Sequence, residues 1–128
     1  MQAYLLVAAG GAAGAAARYG VGAWLGRLMP GAAWPWGTFA VNALGGLLMG
    51  LLVGWLALRG GAGQESLRLL AGVGVLGGFT TFSAYSLELI LMLERRQFGL
   101  AAGYFVASTL IACAAVAMGL FLMRRLFA

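Results

Sequence analysis

Four long apolar stretches alternate with short polar or glycine-rich interruptions along the chain: about residues 3–24, 37–58, 67–93 and 98–123. A hydrocarbon core of roughly 30 Å is crossed by about 20 helical residues, so each stretch is long enough to span a bilayer. The first interruption, "GRLMPGAAWPW", carries both prolines of the chain. The second, "RGGAGQES", is a glycine-rich loop whose Ser66 can cap the helix that follows. The third, "ERRQ", is a tight polar turn. The pattern predicts an all-α membrane protein with four transmembrane helices in one domain, residues 1–128, with no internal repeat.

Composition supports that solvent. The hydrophobic fraction is 63%, the charged fraction 9% and the mean hydropathy +0.98, whereas a soluble domain is about half apolar and a quarter charged. The amino-terminal stretch has no basic leader and runs straight on into further structure, so it reads as a span and not as a signal peptide. Trp24, Trp34, Trp36 and Trp55 fall near segment ends, as an aromatic belt requires. The net charge is +5, from eight arginines without a lysine. They scatter near segment ends and form no basic face, which argues against a nucleic-acid partner and for lipid headgroups. There is no histidine and one cysteine, Cys113 in an apolar run, which excludes disulfides, zinc sites and Cys/His catalysis. No nucleophile–base pair is visible, so no enzyme is expected.

With four spans, Arg59, Arg68, Arg124 and Arg125 share one side of the membrane. Arg27, Arg95 and Arg96 share the other, joined by Arg18 if it snorkels outward. A balanced count gives the positive-inside rule nothing to act on. It permits insertion in both orientations and an antiparallel dual-topology homodimer; the alternative is a single orientation set by other signals. The 22 glycines point to close helix packing. GxxxG spacing occurs at Gly10/Gly14, Gly22/Gly26, Gly46/Gly50, Gly50/Gly54, Gly74/Gly78 and Gly99/Gly103.

The third stretch would be about 40 Å long as one α-helix. Its centre, "GVGVLGGFTTFS", has four glycines and two adjacent threonines, all poor helix formers. A break near Gly77–Thr81 is expected, with freed carbonyls suited to a cation. The alternative is that Gly77 and Gly78 serve a close crossing while the threonines bond back to the preceding turn. Beyond it, Thr81, Phe82, Tyr85 and Glu88 share a stripe. Thr38 and Asn42 lie four apart on the second helix, and Tyr104 and Ser108, followed by Thr109, on the fourth. Three helices thus present amide, hydroxyl and phenol donors, with no Asp or Lys in any span. Donors and positive ring edges suit a small anion; interhelical hydrogen bonding is the plainer use of the same groups.

At these residues the chain resembles the Fluc fluoride channels, also called CrcB proteins. "GGAAGAAARYG" resembles their first-helix glycine/arginine motif, with Arg18 as its arginine, and "GTFAVNALGGLLMG" their second-helix motif. "GGFTTFSAYSLE" is similar to their third-helix signature, and "YFVAS" has their fourth-helix Tyr/Ser spacing. The resemblance implies an antiparallel homodimer with two pores that passively export fluoride, and a structural sodium ion at the dimer centre on the backbone carbonyls of Gly77 and Thr80. It implies pore residues Asn42, Phe82, Tyr85, Tyr104 and Ser108, with Thr38, Thr81 and Ser83 as weaker candidates and Glu88 beside a vestibule. It also implies the plasma membrane of a prokaryote. Two positions depart from the pattern. Tyr85 stands where Phe is common, and Ala112 stands one turn beyond Ser108 where a hydroxyl or small residue is expected, which shortens the polar track. A small dual-topology multidrug exporter shares the size and arginine balance but needs an ionisable group inside the membrane. A non-conducting packing subunit explains the glycines but not the donor stripes.

Overall fold

The computed structural model describes residues 1–61 and 63–128, so Ala62 of the expected loop lies outside the described residues. It is all-helical. Helix α1 is Gln2–Leu28 and α2 is Trp36–Arg59. Helix α3 runs over residues 64–79, with Gln64–Leu67 and Gly77–Phe79 α-helical on either side of a π-helical Arg68–Leu76. Helix α4 is Ser83–Glu94 and α5 is Phe98–Phe127.

The chain's punctuation explains the ends. Pro35 precedes α2, where its missing N–H costs nothing, and its carbonyl accepts from Phe39 N–H at 3.1 Å. Helix α2 ends at Gly60, whose positive φ of 53° suits a residue without a side chain. The turn from α4 to α5 holds Arg96 at φ 58°, with its N–H on the Leu93 carbonyl at 3.0 Å and Gln97 N–H on Met92 at 2.9 Å.

Among the described residues, three helices are long and apolar enough to cross a membrane: Trp36–Arg59, Gln64–Glu94 taken as one, and Phe98–Phe127. The hydropathy pattern predicts four spans. The fourth, α1, is 27 residues long, but its alanines, glycines and Arg18 leave it less apolar than the others.

The helices pack in two pairs, α1 along α3 and α2 along α5. Both seams are made of glycine. A Cβ on Gly10 would meet the Leu70 carbonyl and the Gly74 Cα, and one on Gly78 would lie 2.6 Å from the Gly11 carbonyl. In the second seam, a Cβ on Gly119 would lie 2.6 Å from Leu51 N, and one on Gly50 would strike the Val116 carbonyl. The two pairs meet where Gly37 approaches Gly22. Backbones this close gain dispersion and lose little side-chain entropy, which is how helices associate where lipid offers no hydrophobic drive. The larger buried side chains gather elsewhere, with Tyr85, Met92, Ala101 and Tyr104 packed against Trp34, Phe39, Leu89 and Leu100. Outward-facing Phe105, Leu110 and Phe121 are exposed, as lipid-facing residues should be. Arg59 lies over the Trp55 ring at 4.8 Å and Arg125 over Phe121 at 5.2 Å, near the ends of their helices.

Candidate functional site

The third apolar stretch is broken, at Thr80–Phe82. Thr80 is extended, with ψ 159°, and Phe82 precedes the first turn of α4. Gly77 and Gly78 themselves remain helical. Both readings of the segment therefore hold in part: Gly78 serves the crossing with α1, and the break follows two residues later. Thr80 also bonds back, its Oγ1 donating to the Leu76 carbonyl at 3.0 Å.

Side chains take over the hydrogen bonds that the break releases. Thr81 N–H, which a continuous helix would direct at the Gly77 carbonyl, donates to Asn42 Oδ1 at 2.8 Å, and Asn42 Nδ2 donates to the Thr81 carbonyl at 2.9 Å. Ala84 N–H, which would serve Thr80, donates to Thr81 Oγ1 at 3.2 Å. Arg18 Nε donates to the Gly78 carbonyl at 3.1 Å. Arg18 therefore turns inward and does not snorkel. The break deprives the carbonyls from Gly77 to Thr81 of their helical donors; Arg18 and Asn42 replace those at Gly78 and Thr81, which leaves Gly77, Phe79 and Thr80 without one among the described residues. Gly77 is exposed, and a Cβ there would meet only the Gly72 carbonyl, at 3.6 Å. Neutral oxygens released in this way fit a sodium ion, which takes oxygen ligands and needs no carboxylate.

A groove of about 420 Å³ opens beside the break, edged by Asn42, Thr80, Thr81, Phe82, Tyr85 and Ser108, with Thr109 and Ala112 further along α5. Phe82 is 78% exposed, its ring 5.7 Å from that of Tyr85. Ser108 is 7% exposed and its hydroxyl makes no hydrogen bond of good geometry among the described residues. Ser83 lies outside this lining, its Oγ 3.4 Å from Thr81 Oγ1.

Thr38, Tyr104 and Glu88 form a separate group. Glu88 Oε1 accepts from the Thr38 hydroxyl and Oε2 from the Tyr104 hydroxyl, each at 2.6 Å. Both are short bonds to a carboxylate acceptor. Thr38 and Glu88 line a second cavity of about 390 Å³ with Gly22, Trp34 and Trp36. Tyr104, fully buried, stands between the two cavities: its ring is 5.3 Å from Tyr85 and 5.2 Å from Trp34. Of the predicted pore residues, Asn42, Thr81, Phe82, Tyr85 and Ser108 share the groove, while Thr38 and Tyr104 are committed to Glu88. The sequence reading missed the contact of Trp34 with Tyr104 and the one from Arg18 to Gly78. Neither has a local signature, since each joins residues far apart in the chain.

Apolar helices joined along glycine seams, with a polar break and a hydroxyl-edged groove inside the apolar region, define a multi-pass membrane protein. Residues 5–120 match the family described as CrcB-like protein, Camphor Resistance (CrcB). The chain belongs to this family. It is 64% identical to the fluoride-specific ion channel FluC of Phenylobacterium zucineum (strain HLK1), over 100% of both chains. It is 59% identical to the protein of the same name from Caulobacter sp. (strain K31), over 99% of this chain and 98% of that one. To that of Caulobacter vibrioides (strain NA1000 / CB15N) it is 55% identical over 100% of both.

Proposed function

We propose that this chain is a fluoride-specific ion channel of a prokaryotic plasma membrane, which lets fluoride leave the cytoplasm down its electrochemical gradient. The observation that carries this reading is the groove, whose lining brings together an aromatic pair, Phe82 and Tyr85, and the buried hydroxyl of Ser108. A small, strongly hydrated anion gives up water only where other donors replace it. Hydroxyl protons and ring edges do so without the fixed positive charge that would hold the ion too tightly to leave. Whole-length likeness to proteins named for that activity supports the same conclusion.

The working unit is an antiparallel dual-topology homodimer of four-span, single-domain subunits embedded in lipid. The even arginine count favours it. So does the outward exposure of Gly77 and Phe82 beside the break, because irregular backbone is tolerated at membrane depth only when protein or a wet cavity covers it. A structural sodium ion would be held by the Gly77 and Thr80 carbonyls of both copies, where it would offset their partial charge and join the subunits. Asn42, Thr81, Phe82, Tyr85 and Ser108 line the passage; Thr38, Tyr104 and Glu88 form its vestibule end, and Ser83 borders its mouth.

Purified protein in liposomes tests this. Vesicles loaded with potassium fluoride should release the anion once a potassium ionophore is added. Vesicles loaded with potassium chloride should keep theirs. Equal release of both would overturn the assignment.

A further inference from the structure

The hydroxyls beside the two cavities differ in how firmly they are held. Those of Thr38 and Tyr104 are spent, each 2.6 Å from a Glu88 oxygen. Along the groove, Thr80 Oγ1 is committed too, donating to the Leu76 carbonyl at 3.0 Å, but the hydroxyls of Tyr85, Ser108 and Thr109 are not held this way. The Tyr85 phenol has two neighbours, the Phe105 carbonyl and Thr109 Oγ1, both at 3.4 Å. A committed O–H···O bond is about 2.5–3.0 Å long, so the phenol proton is held loosely and can turn to a better acceptor. Ser108 Oγ is buried and, among the described residues, makes no hydrogen bond of good geometry, its polar neighbour being the Tyr104 hydroxyl. All three hydroxyls edge one groove, and Ala112, a turn further along α5, contributes none.

We infer that Tyr85 Oη and Thr109 Oγ1 act as a pair that contacts the permeating anion next to Ser108, so that the groove's hydroxyl track runs across from α5 to α4 instead of continuing along α5 to position 112. The inference rests on the fluoride-channel reading. An apolar ring at position 85 would leave Ser108 as the sole buried donor on that wall. A phenol there keeps the ring edge and adds an O–H directed at α5. A bare anion entering between Tyr85 and Ser108 would find donors on two helices, and the loose 3.4 Å contacts could shorten onto it with only rotation of the hydroxyls.

The test is the initial rate of fluoride release from liposomes containing the full-chain protein, with wild type, Y85F, T109V and T109S compared at equal reconstituted amounts. Y85F and T109V each remove one hydroxyl while keeping shape, and each should slow release about fivefold, the rate equivalent of one ordinary hydrogen bond. T109S keeps the hydroxyl and loses the methyl; it should stay near the wild-type rate. Elution as one sharp species checks that each variant is folded. Y85F or T109V at the wild-type rate, or T109S as slow as T109V, would overturn the inference while leaving the channel reading intact. Wild-type vesicles that retain their fluoride would overturn both.

Discussion

Asn42 grips Thr81 by both of its backbone groups, accepting from the N–H at 2.8 Å and donating to the carbonyl at 2.9 Å. One side-chain amide on α2 thereby stands in for the helical partners that the break denies to Thr81. Asn42→Ala would leave a half-buried N–H and carbonyl unpaired, each costing about 1–3 kcal/mol. The thermal midpoint in detergent should fall by several degrees, and fluoride release should fall with it. Asn42→Asp keeps the acceptor but sets an oxygen against the Thr81 carbonyl, so it should rescue little. A midpoint unchanged in both variants would show that the amide does not hold the break.

Glu88 receives two hydroxyls from two different helices. Bonds to a charged group contribute about 1.5–3 kcal/mol each. Tyr104→Phe and Thr38→Val should each destabilise the protein by about 2 kcal/mol in unfolding measurements. Because the two groups share one carboxylate, the double variant should lose less or more than the sum, and strict additivity would argue against the shared site.

The glycine seams predict a contrast between two alanines. A Cβ on Gly119 would press on α2 backbone at Leu47 and Leu51, whereas one on Gly99, in the same helix, meets nothing within 4 Å. Gly119→Ala should cost about 1–3 kcal/mol through overpacking. Gly99→Ala should be neutral, or stabilising by up to about 1 kcal/mol through helix propensity. Thermal midpoints of the pair read this directly.

Arg18 reaches across the first seam to the Gly78 carbonyl. Arg18→Leu removes the donor and should lower stability by about 1–3 kcal/mol. Arg18→Lys should recover only part of that, since an ammonium lacks the planar N–H aimed at the carbonyl. A leucine variant as stable as wild type would refute the contact's role.

Much of this architecture could be read along the chain. The runs of leucine and valine gave away α2 and α5, and the paired threonines marked the break to within two residues. Glycine spacing was a poorer guide. The pairs Gly10/Gly14, Gly74/Gly78 and Gly46/Gly50 do lie in the seams, but Gly99 and Gly26 face open space. Spacing says that two residues share a face, never what that face meets. The same limit explains Thr38 and Asn42, four apart on one helix yet turned to different cavities. What separates them is Glu88, 50 residues from Thr38 in sequence. Its pull on Thr38 and Tyr104 is tertiary, and no local pattern records it. Nor did composition foretell the wide π-helical coil at Arg68–Leu76.

That coil sets a phase. Its nine residues wind more slowly about the axis than α-helical ones, so they fix the rotational angle at which Thr81 arrives opposite Asn42. Each α-helical residue advances the azimuth by about 100°. Excising one residue, such as the outward-facing Val73, would swing everything downstream out of alignment, even though no group in either cavity had been touched. In this protein the count of residues between Arg68 and Leu76 is as much a part of the site as the side chains that line it.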